Sequence, residues 1–415
     1  LVGERARRLG VSVDAFVVSM TRVGLEKLQA MTNGSGGEVV THQTFGAAMA
    51  QDLCNAQTRS LGSSGVINVH ASSCVEIRRI MGALIPPATR AEVEMGEDLP
   101  NLSVSPAVEA RHAVTVTYAL TEDPSEEYVY FQVVSAYTTR AKERITRTST
   151  ARLPVTKNTA DMLQSVDVAT LGVLLAKEAV VEVREGSASV EHAKQDLSLR
   201  LQNIARTWSD QVKIGVTGRT SIMPTQLAIL PKLVFQACTG PLLGQLLNDD
   251  DDYAFMRALF LTAGVDDAIR ILNPPFFSVS LDPANPQYTP VELDDVSLLP
   301  DRVLLLDHHT NIFLWSGSKV ASSEHEALRQ RVLSDFGGWT AARFPAPEIM
   351  AFSEGESMAR WLVARLNPAH RDGSSQGLMG GVAGAVRGLL QTQFSPTDDD
   401  SFQQWLAKIR VAISA

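Results

Sequence analysis

Arg360 lies in the stretch Ser353-Glu354-Gly355-Glu356-Ser357-Met358-Ala359-Arg360-Trp361-Leu362. Its side chain is planar, permanently charged and presents a fork of donors, which suits it to phosphoryl oxygens or carboxylates. Ser353 and Glu356 have the spacing of a capping box. Met358, Trp361, Leu362 and Leu366 then fall at i, i+3, i+4 and i+8, which predicts one apolar face over a helix from Glu354 to Leu366. Asn367-Pro368 stops that helix. Arg360 sits about 200° round from Met358 and points away from the face. The local pattern alone reads it as a surface arginine paired with Glu356 at i,i+4.

Other constellations carry residue types that could do chemistry. Asp307-His308-His309 could ligate a metal, but adjacent strand residues point to opposite faces, so the reading is a strand-to-turn junction. Asp249 to Asp252 lacks the alternating ligands and glycine of a calcium loop. It reads as a solvated loop, with Asp251 or Asp252 available to cap the next helix. Gly380-Gly381-Val382-Ala383-Gly384 lacks both the preceding strand of a dinucleotide fingerprint and the Gly-Lys-Ser/Thr ending of a P-loop, so it reads as a surface loop. Gly62-Ser63-Ser64-Gly65 reads as a turn before a strand, not a nucleophile elbow.

The elements that must position Arg360 come in blocks. Gly3 to Leu9 is helical and Val11 to Ser19 is an apolar run read as a buried strand. A short helix and the turn Asn33 to Gly37 follow, so residues 1–45 read as the end of an α/β trunk. Residues 46–156 carry β-branched and aromatic runs near Val66, Val114, Tyr128 to Val134 and Arg144, with turns at Ile85-Pro86-Pro87 and Asp123-Pro124-Ser125. They read as an antiparallel sandwich or barrel. Residues 157–285 read as a helical domain, with helices over Ala160–Val183, Val190–Ser209, Leu227–Leu247 and Asp251–Ile271, ended by Asn273-Pro274-Pro275. Residues 286–396 read as a compact α/β module. It has strands at Arg302–Asp307, Asn311–Trp315 and Ile349–Phe352, a helix over Glu324–Ser334, and a Gly-rich stretch from Gly373 to Gly388. Residues 397–415 hold a returning helix. The fold class is multidomain α+β.

Composition limits the function. Lys plus Arg number 37 against 46 Asp plus Glu, a net charge of −9, which argues against a general nucleic-acid binder. Three scattered cysteines, Cys54, Cys74 and Cys238, form no C-x-x-C pair and suit a reducing compartment. No run reaches the ~18 apolar residues of a membrane span, so membrane contact is expected to be peripheral. The first residue is Leu, and the chain is expected to be part of a longer one.

The order of these blocks resembles the inner-coat subunits of the COPII vesicle coat, and specific strings carry the likeness. Gly24-Leu25-Glu26 resembles the end of the family's vWA-like trunk. Phe131, Tyr137, Arg144-Ile145 and Thr150-Ala151-Arg152 resemble its sandwich; Leu230-Pro231, Tyr253 and Phe255-Met256-Arg257 resemble its helical region. Asp301 to Asp307 resembles the opening of its gelsolin-like domain, and Asp399-Asp400 its last segment. Arg343-Phe344-Pro345-Ala346-Pro347, and Ser357-Met358-Ala359-Arg360 continued by Leu366-Asn367-Pro368, resemble strings of the GTPase-activating subunit, the Sec-twenty-three family. The resemblance implies a coat component that is not itself an enzyme, with Arg360 as an arginine finger supplied in trans to a Sar-type small GTPase. It implies the cargo-binding sister subunit and outer-coat subunits as partners, no nucleic acid, and a cytoplasmic location, peripheral on endoplasmic-reticulum membrane and COPII vesicles. No cofactor or metal is expected in this chain, the family's zinc belonging to an N-terminal zinc finger. Three departures stand out: Glu348 replaces an arginine and is expected near the site, Met358 replaces a glutamine, and the loop after Pro368 is Gly-rich. They keep open a divergent paralogue, a non-catalytic coat scaffold, or a cargo adaptor of the same architecture.

Overall fold

The structure, a computed structural model, describes residues 2–9, 11–19, 21–85, 101–209, 222–244, 250–320, 322–366 and 400–414. The chain divides into two compact units, one of residues 1–167 with 249–266, the other of 168–248 with 267–415.

The first unit begins with helix α1 (Val2–Arg8), strand β1 (Ala15–Val18), helix α2 (Leu25–Ser35) and strand β2 (Val39–His42). β1 and β2 pair in parallel with α2 as the crossover, the connection that parallel strands require. β1 is half-exposed along its length, not buried as its apolar run suggested. Helix α3 (Ala47–Thr58) leads into strands β3 (Ser60–Ala71), β4 (Val75–Met81), β5 (Leu102–Glu109), β6 (Thr115–Leu120), β7 (Tyr128–Thr139) and β8 (Arg144–Pro154). Four of these form a sheet in the order β5-β3-β7-β8, and β4 pairs with β6. Tyr118 of β6 packs at a tilt against Phe131 of β7, ring centroids 4.8 Å apart.

Gly62 to Gly65 is not a turn. It lies inside β3, where the pairing register shifts. A Cβ on Gly62 would stand 2.2 Å from the carbonyl oxygen of Thr138, so glycine here permits close strand approach. Pro86 and Pro87 lie outside the described residues. Helix α4 (Thr159–Ser165) closes this part, its N-cap Asn158 accepting from the Ala160 amide.

The second unit starts with helix α5 (Val168–Arg184). The single helix expected over Ala160–Val183 is therefore two, because the chain turns extended at Val166. Helix α6 (Val190–Thr207) begins where expected, with the Ser189 hydroxyl accepting from the His192 amide. A 3-10 turn at Thr225–Leu227 precedes helix α7 (Leu230–Thr239); Gln245 to Leu247 lie outside the described residues. The helix expected over Asp251–Ile271 also divides, into α8 (Asp250–Thr262), which belongs to the first unit, and α9 (Val265–Leu272), which belongs to the second from Asp267 on. Ala263-Gly264 separates them.

After Pro275 comes a five-stranded sheet in the order β10-β9-β11-β12-β13. Its strands are β9 (Phe276–Val279), β10 (Tyr288–Pro290), β11 (Val303–Asp307), β12 (Asn311–Ser316) and β13 (Glu348–Ser353). The sequence pattern does not single out β9 and β10. Helix α10 (Ser322–Thr340) exceeds the Glu324–Ser334 expectation. Leu304, Leu306, Phe313, Trp315 and Phe352 pack into one core, and Val303, Leu305, Ile312 and Leu314 into another with Leu328, Val332 and Phe336 of α10. A sheet covered on both faces explains why Val-Leu-Leu-Leu shows no polar alternation. A short helix α11 (Arg360–Val363) and the final helix α12 (Phe402–Ser414) complete the unit. Phe402 and Trp405 of α12 pack on Phe235 of α7, at 5.3 and 5.5 Å between ring centroids.

Candidate arginine site and relatives

β13 delivers the chain to Arg360. Its rungs to β12 run to Ser353, opposite Ser316, and the Glu354 amide donates to the Ser316 carbonyl at 2.7 Å. The Glu354 carboxylate accepts from the Ser318 amide at 2.8 Å, pinning the turn after β12. Gly355 then takes φ +88°, a left-handed conformation that glycine adopts without steric cost. The predicted capping box does not form. Ser353 stays in the strand and holds the Glu356 amide through its backbone carbonyl at 3.1 Å. A 3-10 turn over Ser357–Ala359 leads directly into α11, so the expected long helix is a short one.

The buried side of this segment also differs from the pattern. Ala359, Leu362 and Leu366 join the core against Phe313 and Phe352, with Trp361 packed beside them. Met358 is 42% exposed and takes no place in that face. The 3-10 turn rotates the first residues relative to an α-helical register, so Ala359 replaces Met358 at the core.

Arg360 is half-buried, and among the described residues its guanidinium has no hydrogen-bond or ion-pair partner. The expected pair with Glu356 is not formed. Arg365, five positions on, is used differently: Nη1 donates to the Trp361 carbonyl at 2.6 Å, and its guanidinium lies 4.8 Å from the Phe313 ring centroid. One arginine of this segment is thus consumed in packing, while the other keeps its donors available.

The Arg343 to Pro347 string enters β13 at Glu348, opposite Asn311 of β12, and Ser353 ends the strand opposite Ser316, roughly 16 Å further along by strand rise. Arg343 forks onto Asp307 at 2.8 and 2.6 Å. Phe344 and Ala346 are buried. His308 and His309 are both buried, and His309 sits at φ +63° with its amide donating to the Asp307 carboxylate at 3.1 Å. Burial, together with Arg365 and His309, pushes His308 well below its ordinary value, so it stays neutral. Arg302 and Lys319, which pattern reading missed, lie at the end of the sheet where β12 finishes, through Gly317 N to Arg302 O and Lys319 N to Pro300 O. Strand pairing brings them there, and sequence spacing carries no signal of it.

The Asp249 to Asp252 run is also corrected. Asp250, Asp251 and Asp252 open α8, and Asp251 is buried as the cap of α2, not of its own helix. The Gly380 to Gly384 stretch lies outside the described residues.

The gelsolin repeat family matches residues 284–362. The protein transport protein SEC23 A of Arabidopsis thaliana is 28% identical over 99% of this chain and 47% of its own length. SEC23 C of the same plant is 24% identical over 89% of this chain and 52% of its own. The chain thus spans about half the length of the curated relatives it matches. The crystal structure of the human COPII-coat protein Sec24c superposes with a TM-score of 0.80 over 99% of this chain and 54% of that one, at 17% identity, which establishes the shared fold. This chain is thus similar along nearly its whole length to SEC23 proteins, shares the fold of a Sec24 protein, and matches the gelsolin repeat over residues 284–362.

Proposed function

We propose that the chain is part of a COPII coat component that acts in endoplasmic-reticulum-to-Golgi protein transport and stimulates GTP hydrolysis by a Sar-type small GTPase. The observation that carries the finer reading is Arg360 itself: presented after a pinned strand end, anchored by Leu362 and Leu366, and without a partner among the described residues. The GTPase supplies the nucleotide and its metal. Arg360 supplies a fork of donors that stabilises charge on the transferring phosphoryl group. Such a group in trans accelerates hydrolysis by roughly 10³–10⁵. Lysine lacks the planar fork and does this poorly. Partners on this reading are the small GTPase, the cargo-binding sister subunit and the outer coat. Recruitment to the membrane is peripheral and cytoplasmic; no helix among the described residues is long and apolar enough to cross a bilayer.

A second reading is favoured by the fold shared with Sec24c: a coat scaffold or cargo adaptor without a catalytic arginine. Single-turnover GTP hydrolysis by the cognate small GTPase, alone, with the protein, and with its Arg360→Ala variant, separates the two. Stimulation that disappears in the variant supports the activator. A folded protein that binds the GTPase and leaves its rate unchanged supports the scaffold.

A further inference from the structure

Arg360 opens a single turn of helix, α11 (Arg360–Val363). One turn does not hold itself, because nucleating it fixes several residues for one hydrogen bond. Contacts outside the turn must therefore set the direction in which it presents its side chains. Leu362 and Leu366 press the segment onto the core that holds Phe313 and Phe352. Apolar burial is non-directional, so it holds the turn down without fixing its rotation.

Two polar tethers supply direction, one on each side of Arg360. Before it, the Glu354 amide bonds the Ser316 carbonyl and the Glu354 carboxylate takes the Ser318 amide, an exposed contact. After it, the chain tightens. The amides of Ala364, Arg365 and Leu366 donate to the carbonyls of Arg360, Leu362 and Val363 at 2.9, 2.9 and 3.2 Å. The Trp361 carbonyl is left over, and Arg365 Nη1 donates to it at 2.6 Å. A cation is favoured at the carbonyl end of a helix. The same guanidinium lies 4.8 Å from the ring centroid of Phe313 and 5.9 Å from that of Trp361. Phe313 is fully buried in β12, paired with Met350 of β13, so it is a fixed point. Arg365 thus ties the residue after Arg360 to the sheet through a hydrogen bond and a ring contact, both of which depend on orientation.

We propose that Arg365 is a positioning residue for Arg360: by holding the Trp361 carbonyl over Phe313 it fixes the direction in which α11 presents the Arg360 guanidinium. The proposal rests on the reading of Arg360 as an arginine supplied in trans to a small GTPase. Arg365 acts through Arg360 and not on the nucleotide. A donor to a transition state must be held to within about 0.5 Å, and a misplacement of about 1 Å can cost on the order of a hundredfold in rate.

The test is single-turnover GTP hydrolysis by the cognate small GTPase, titrated with the parent protein, Arg360→Ala, Arg365→Met or Arg365→Lys. A lost folded fraction raises the concentration needed for half-maximal stimulation and leaves the plateau alone; a misaimed Arg360 lowers the plateau. Methionine keeps an apolar stem and removes donor and charge. Arg365→Met should lower the plateau roughly tenfold and move the half-maximal concentration by less than about twofold. Lysine keeps a donor and a cation for the ring and should recover part of the plateau. The amides of Ala364 and Leu366 should exchange faster in Arg365→Met, while those of β12 keep their protection. A parent that gives no stimulation, or one matched by Arg360→Ala, sinks the activator reading and this proposal with it. Where Arg360→Ala does abolish stimulation, an Arg365→Met plateau equal to the parent's overturns the positioning role alone. So does unchanged exchange at those two amides, a lysine variant no better than methionine, or collapse of the fold in Arg365→Met.

Discussion

Arg343 and Asp307 are joined by two parallel hydrogen bonds, 2.8 and 2.6 Å long, and tie the loop after α10 to the end of the central strand β11. Asp307 is almost fully buried, and Arg270 of α9 approaches the same carboxylate at 3.5 Å. The pair therefore also joins the helical part of the second unit to its sheet. A bidentate fork is the geometry in which arginine and lysine are least interchangeable.

Arg343→Ala leaves the buried Asp307 carboxylate with only Arg270 at 3.5 Å and the His309 amide at 3.1 Å. The expected loss is about 3 kcal/mol in urea unfolding, since removing one partner of a buried pair strands the other charge. Arg343→Lys should recover part of it. A loss under about 0.5 kcal/mol would place this pair with exposed ones.

Asp251 makes a cap that crosses the sequence. Its carboxylate accepts the amides of Val23, Gly24 and Leu25 at 2.6, 2.9 and 2.7 Å, at the positive end of α2. Three amide donors outweigh the penalty of burial and hold the carboxyl below its ordinary range. Asp251→Ala should cost about 2 kcal/mol, the upper range for a lost cap, and raise amide exchange across α2 more than across β7. Equal exchange in both elements would argue against a local cap.

Much of this architecture was legible because the local signals agreed. The helix expected from Val190 begins there, and the strand expected over Arg302–Asp307 runs over Val303–Asp307, its apolar residues covered on both faces. The failures have equally local causes. The Asp249 to Asp252 run looked solvated because nothing in its sequence reveals three unpaired amides contributed by residues 23–25. Gly62 to Gly65 has turn composition, yet its glycines serve strand contact. Arg360 itself stood out, but the helix expected around it was wrong: Ser353 is held in β13 by its rung to Ser316, which no i,i+3 spacing can report.

The buried charges of the first unit set its acid limit. Glu38 meets His112 at 3.1 Å and also contacts Arg111; Arg111 reaches Glu109 at 2.8 Å, and Glu109 in turn binds Arg59 at 2.8 Å. Burial alone would raise the Glu38 carboxyl. The His112 hydrogen bond and the Arg111, His112 and Arg59 charges outweigh it and bring the carboxyl from 4.5 to about 2. The folded value is depressed, so the contribution is complete above pH 4.5 and fades as pH falls toward 2. A displacement of that size corresponds to on the order of 3 kcal/mol. Glu38→Gln should therefore flatten the fall in stability between those limits, measured by urea unfolding across pH. A variant with an unchanged acid profile would place the sensitivity elsewhere.

Arg360 gives the sharpest separation between fold and function. Its neighbours Leu362 and Leu366 anchor the segment, and the guanidinium has no described partner to lose. Exposed substitutions away from such features usually change stability by less than about 0.5 kcal/mol. Arg360→Ala and Arg360→Lys should accordingly melt within a few degrees of the parent, while Leu362→Ala should cost roughly 2–5 kcal/mol as a core truncation. In GTP hydrolysis by the small GTPase, alanine should remove stimulation and lysine should restore little of it, because the transition-state fork and not the charge alone is required. Binding to the GTPase loaded with a non-hydrolysable nucleotide should change far less than the rate does. If lysine restores the rate fully, Arg360 acts as a simple charge. If both variants lose binding and rate in proportion, it acts as an interface contact, and the catalytic assignment fails.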